Sequence, residues 1–118
     1  MELYPVHIAN FKVDGGVMFG VVPKTIWNKK YPADDNNLIN LALRSLLIKT
    51  NDKNILIDTG WGDKQDEKFF RHVHLNGGDG LERGLKKTGI STNEITDVIL
   101  THLHADHCGG TIKLTEDG

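Results

Sequence analysis

The sequence predicts a mixed α/β chain of the α+β kind, in which strands come first and a helix then leads into a final strand. Four stretches predict it. Leu38 to Ile48 is apolar apart from Asn40, Arg44 and Ser45. Ile55-Leu56-Ile57-Asp58 follows after the turn Thr50-Asn51-Asp52-Lys53-Asn54, so the two runs make a hairpin. Asp79 to Gly89 carries helix signals at both ends. Asp97-Val98-Ile99-Leu100-Thr101 is short, apolar and rich in β-branched residues, as a buried strand is.

The chain opens with a looser alternation. His7 to Val13 puts Ala9, Phe11 and Val13 on one side and Asn10 and Lys12 on the other, a half-buried strand that Asp14-Gly15-Gly16 ends. Met18-Phe19-Gly20-Val21-Val22 is apolar without a helical period and reads as core or a hydrophobic loop. Pro23 can open a short helix over Lys24-Thr25-Ile26-Trp27. Asp34-Asp35-Asn36-Asn37 is a polar turn.

Beyond the hairpin, Trp61 to Leu75 reads as partly helical and exposed, and Asn76-Gly77-Gly78 breaks the chain. Asp79-x-x-Glu82 has the form of a capping box, with Leu81 and Leu85 one turn apart on the buried side and Gly89 as the closing cap. Ser91-x-x-Glu94 is a second capping box, opening one helical turn before the final strand.

That strand runs into Thr101-His102-Leu103-His104-Ala105-Asp106-His107-Cys108-Gly109-Gly110. Side chains two apart on extended chain point the same way, so His102 and His104 can aim both imidazoles at one ion. Asp106 and His107 fall where the chain turns and can face a second ion. Imidazole with carboxylate suits zinc and its first-row neighbours rather than calcium or magnesium. His72-Val73-His74 serves as a control, because it follows Asp66 to Arg71, which has helical character. Residues two apart on a helix do not face each other, so that pair is read as surface. Asp58 ends a buried strand, where a carboxylate is costly unless paired. It either caps the turn at Thr59 and Gly60 or stands behind the metal cluster and orients a ligand histidine.

With 38% hydrophobic and 25% charged residues, the 118-residue chain has the make-up of one globular domain. A net charge of −2 gives no electrostatic case for a nucleic-acid partner. No apolar run approaches the roughly 20 residues of a membrane helix. Met1 to His7 has neither the basic region nor the apolar core of a signal peptide, and the single cysteine, Cys108, has no internal disulfide partner. The expected location is cytoplasmic, and Cys108 reads as a small packed residue.

His102-x-His104-x-Asp106-His107 resembles the signature of the metallo-β-lactamase superfamily, and Ile55-Leu56-Ile57-Asp58-Thr59-Gly60 is similar to the strand and turn that precede it there. Asp14 to Lys24, continuing through Trp27 to Tyr31-Pro32, resembles the N-terminal segment of a lactonase-like branch that includes quorum-quenching lactonases. The resemblance implies a four-layer αββα sandwich of two similar halves. Residues 1–118 would then be the N-terminal portion of a single domain whose C-terminal half is absent from this chain, with an inner sheet face left open.

It further implies two zinc ions, or other first-row divalent metals, sharing a hydroxide. His102 and His104 would bind the first, Asp106 and His107 the second, and Asp106 would also relay a proton to the departing alkoxide. Asp58 would support the cluster from behind. Met18, Phe19 and Trp27 would wall an acyl or aromatic substrate pocket. The activity implied is hydrolysis of a carbonyl ester, with a lactone such as an acyl-homoserine lactone as the leading substrate. A thioesterase, a phosphotriesterase or a non-catalytic truncated module are the alternatives, and a homo-oligomer is left open. The ligand set is incomplete, since a catalytic zinc takes three protein ligands and no histidine follows His107. The fragment alone is expected to be inactive and to need the C-terminal half.

Overall fold

Leu38–Lys49 (β2) is the longest-paired strand of the protein and organises the sheet, as a computed structural model describing residues 1–117 shows. It pairs antiparallel with Glu2–Asp14 (β1) on one side and with Asn54–Ile57 (β3) on the other. Asp97–Ile99 (β4) joins parallel to β3, giving the order β1-β2-β3-β4. A parallel neighbour cannot be reached by a tight turn. The crossover from β3 to β4 accordingly holds two short helices, Glu67–His72 (α3) and Leu81–Lys86 (α4), and a 3₁₀ turn at Thr92–Glu94. The hairpin between β2 and β3 is as expected, while β1 begins five residues earlier than the alternation suggested. A register shift between His7 and Ala9 buries both Ile8 and Ala9 and interrupts that alternation.

One face of the sheet is covered. Val6, Leu47 and Leu56, one from each of the first three strands, pack with Leu85 of α4 and with Ile90. Ile8, Ala9 and Leu43 form a second cluster with Phe11, Trp61 and Leu81 against it. The helix that starts near Leu81 buries Leu85 completely, as its spacing indicated. On the opposite face, Leu3 and Ile99 stay more than half exposed.

Four local expectations need correction. The Asp97–Thr101 run is not a buried strand: Val98 is 43% and Ile99 52% exposed, because β4 is the edge strand and nothing described covers it. Of the Met18–Val22 run, read as core or a hydrophobic loop, Met18 and Phe19 belong to a short helix, Gly15–Phe19 (α1), and only Gly20 to Val22 form an exposed turn. The helix starts there because Asp14 Oδ1 accepts from the N–H groups of Gly16 and Val17 at 2.7 and 3.2 Å. Asp79 does not cap α4. Gly80 occupies that position, and the carboxylates of Asp79 and Glu82 pair instead with Lys87 and Lys86 at 3.0 and 2.9 Å. Gly89, at φ 84°, lies two residues beyond the Lys87 cap, in the turn that follows α4.

The short helix expected at Lys24–Trp27 (α2) is present, and the Ser91–Glu94 turn is closed by the Ser91 N–H and hydroxyl, both donating to Glu94 Oε2. No helix among the described residues is long and apolar enough to cross a membrane.

Candidate metal centre

The chain leaves β4 at Ile99 and runs without helix or ladder to His104, where Ala105–Cys108 makes a single helical turn (α5). The N–H groups of His107 and Cys108 donate to the His104 carbonyl at 2.9 and 3.0 Å. His104, at φ −67° and ψ 144°, is extended backbone at the start of the turn, while Asp106 and His107 ride on the turn itself. The turn is docked on the loop after β3: Thr59 N–H donates to the His107 carbonyl at 2.7 Å and Gly110 N–H to the Gly60 carbonyl at 2.9 Å. This close approach requires Gly109 and Gly110, since a Cβ at either would run into the Trp61 or Thr59 carbonyl oxygen.

The four side chains form two facing pairs. His102 Nε2 and His104 Nδ1 lie 3.0 Å apart. His107 Nε2 lies 3.4 Å from Asp106 Oδ2. The rings of His102 and His107 are 4.0 Å apart between centroids, which sets the pairs side by side. A tetrahedral zinc holding nitrogens at 2.0–2.1 Å would set them roughly 3.3 Å apart, so the first pair needs only a small opening to admit one. Donor chemistry and spacing thus fit, but donor number does not suffice. Among the described residues no three His, Cys, Asp or Glu side chains gather into a set that would hold an ion unaided.

Asp58 stands behind the second pair. Its backbone is fixed by its own N–H donating to the Ile99 carbonyl at 2.9 Å and by the buried Ser45 hydroxyl donating to its carbonyl at 2.8 Å. It holds φ 59°, in the left-handed region that aspartate tolerates better than most residues. The carboxylate accepts from Thr101 N–H on Oδ1 at 2.9 Å, from the Thr101 hydroxyl on Oδ2 at 2.9 Å, and from His107 Nδ1 on Oδ2 at 2.8 Å. Burial alone pushes this carboxyl up, but the hydrogen bonds from His107 and Thr101, with the charge of His107, outweigh it and hold it below the ordinary carboxylate value. An ionised carboxylate only accepts, so the His107 proton sits on Nδ1, and in the neutral ring Nε2 is bare toward Asp106.

His102, His104, Asp106, His107 and Asp58 are thus brought together as the sequence indicated. Cys108 is half-buried, its thiol 3.5 Å from the Leu103 carbonyl. His72 and His74 are exposed and make no side-chain hydrogen bond to the motif. Phe19 stacks on Trp27 at 4.8 Å, and Trp27, only 5% exposed, packs beneath Gly15. Met18 stays half exposed beside them. A cavity of about 570 Å³ is lined by Ile8, Leu43, Trp61 and Leu81 among others and includes neither those three residues nor the motif side chains. Sequence reasoning missed Thr101 and Ser45 as parts of the site. Ser45 had a signal, being a lone hydroxyl on the buried side of an apolar strand.

The fold and this arrangement of donors define a class. Residues 43–118 match the family described as the metallo-beta-lactamase superfamily, and the chain belongs to it. It is similar to a probable metal-dependent hydrolase from Staphylococcus aureus, with a TM-score of 0.85 and 36% identity over 92% of this chain and 40% of that one. It is also similar to AidC, a dizinc quorum-quenching lactonase in complex with a product, N-hexanoyl-L-homoserine, with a TM-score of 0.69 and 32% identity over 93% of this chain and 35% of the lactonase. A probable metallo-hydrolase of Mycobacterium tuberculosis is 31% identical over 86 residues, 66% of this chain. The chain spans 28% of the length of that curated relative and 40% of the staphylococcal hydrolase.

Proposed function

We propose that this chain carries the first part of the metal centre of a hydrolase that opens a carbonyl ester, with a lactone, specifically an acyl-homoserine lactone, as the leading substrate class. The observation that carries this reading is the pair of facing donor sets, His102 with His104 and Asp106 with His107, backed by Asp58. His102 and His104 would hold one zinc and Asp106 and His107 a second. Two such ions, when bound, acidify a water and polarise the carbonyl. Asp58 orients His107, and the Asp106 carboxylate holds the proton destined for the leaving alkoxide. The likeness to a dizinc lactonase supports zinc and a lactone over a thioester or phosphotriester.

The remaining ligands would come from the part of the domain outside these 118 residues, and Met18, Phe19 and Trp27 would wall the acyl side of the pocket only once that part is in place. By itself the chain would then bind metal weakly and turn over little. The test is metal content and lactone ring opening in the full-length protein. About two zinc ions per chain and turnover abolished by chelation are expected. Turnover that survives exhaustive chelation would reject the reading, and metal uptake without hydrolysis of any lactone, thioester or phosphotriester would favour a non-catalytic module.

A further inference from the structure

Behind His107 stands a carboxylate, but behind His102 stands a hydroxyl. His102 Nδ1 lies 3.1 Å from Thr101 Oγ1, and that same oxygen lies 2.9 and 3.1 Å from the two carboxylate oxygens of Asp58. A threonine hydroxyl has one proton to give and two lone pairs with which to accept. The ionised Asp58 only accepts, so the Thr101 proton points to Asp58. Toward His102, Thr101 Oγ1 can then only accept, and the proton of that contact belongs to His102 Nδ1. A neutral His102 protonated there has its bare lone pair on Nε2, the atom that faces His104 at 3.0 Å. Thr101 Oγ1 is also 3.4 Å from His107 Nδ1, but that nitrogen is nearer to Asp58, at 2.8 Å, and gives its proton to the carboxylate.

We propose that Thr101 is a positioning residue whose hydroxyl relays the orientation set by Asp58 to His102, so that one carboxylate fixes the tautomer of one histidine in each donor pair. The purpose of the relay rests on the metal reading above; the relay itself is a property of the chain's own hydrogen bonds. Residue 101 is held at two points, since its N–H donates to Asp58 Oδ1 at 2.9 Å as its hydroxyl donates to Oδ2. Valine would keep the shape and the N–H tie but can neither donate nor accept through its side chain, whereas serine can do both.

The experiment compares wild type, Thr101→Val and Thr101→Ser in the full-length protein by ¹⁵N correlation spectra of the histidine rings after metal is stripped, since zinc on Nε2 would itself force the proton to Nδ1, and by zinc titration against a chelating chromophore. Wild type and Thr101→Ser should show the His102 proton on Nδ1. Thr101→Val should lose that preference at His102 alone, His107 keeping its Nδ1 proton, and its zinc affinity should fall by about tenfold, recovered in Thr101→Ser. A His102 proton on Nε2 in wild type would overturn the proposal even if Thr101→Val failed to fold. So would a Thr101→Val protein with an unchanged His102 tautomer or zinc affinity within twofold of wild type. Should wild type take up no zinc, the metal reading fails, while the tautomer spectra still decide the relay.

Discussion

Asp58 Oδ2 lies 2.8 Å from His107 Nδ1, across 49 residues of sequence. One strand end, one helical turn and the loop between them have to be placed together for that contact to exist. Asp58 directly follows β3 and stands behind the histidine cluster, so disturbing it should affect stability and metal binding separately. Asp58→Ala leaves the Thr101 N–H and hydroxyl without their acceptor, an expected loss of about 1–3 kcal/mol in a denaturant melt. Asp58→Asn keeps an acceptor but removes the charge. It should melt closer to wild type yet bind zinc roughly 10- to 100-fold more weakly by competition titration. Equal zinc affinity in Asp58→Asn and wild type would remove Asp58 from the site.

The docking of α5 on the loop after β3 depends on the absence of a side chain at residue 110. In Gly110→Ala the new Cβ meets the Thr59 carbonyl, and the Gly110 N–H bond to Gly60 must lengthen. The expected cost is about 1–3 kcal/mol by chemical denaturation, with a loss of zinc uptake as α5 shifts. Full stability in this variant would mean that the turn is held by other contacts.

The covered face of the sheet predicts a steep contrast in tolerance. Leu85 is fully buried against Val6, Leu47 and Leu56, and Leu85→Ala should destabilise by about 2–5 kcal/mol. Val21 is fully exposed, and Val21→Ala should stay within roughly 0.5 kcal/mol. Thermal melts of the two variants read this directly.

Acid should loosen the start of the chain. The Lys12 ammonium, 2.7 Å away, and the N–H groups of Leu38 and Asn36 hold the Asp34 carboxyl below its ordinary value near 3.8. Asn37 and the N–H groups of Gly16 and Val17 do the same for Asp14. A carboxyl depressed on folding stabilises fully above its unfolded value and loses that contribution as pH falls through the folded one. The melting temperature should therefore hold between pH 7 and 5 and drop below about pH 4. In Asp34→Asn the drop should be shallower; an identical acid slope would exclude Asp34 as a contributor.

The clustering of His102, His104, Asp106 and His107 was legible because its geometry is local. Spacings of two, four and five residues at the end of a strand fix which way His102, His104, Asp106 and His107 can point, whatever else the chain does. The hairpin of β2 and β3 was legible for the same reason, since a short polar turn between two apolar runs specifies its own pairing; the structure closes it over the four residues Thr50 to Lys53. Elements decided by a neighbour were not. The Gly15–Phe19 helix exists because Asp14 caps it and Trp27 fills the space beneath Gly15, and neither shows as periodicity. Asp79 reads as a cap in one dimension but finds Lys87 in three.

The sequence by itself determined the order of strands along the chain and that His102, His104, Asp106 and His107 fall together, both consequences of backbone geometry over a few residues. Only the tertiary structure decided that Ser45 holds the Asp58 backbone, that Asp58 and Thr101 stand behind the histidines, and that β4 is an open edge. Burial and hydrogen-bond partnership are properties of what packs against a residue, and those partners lie tens of positions away.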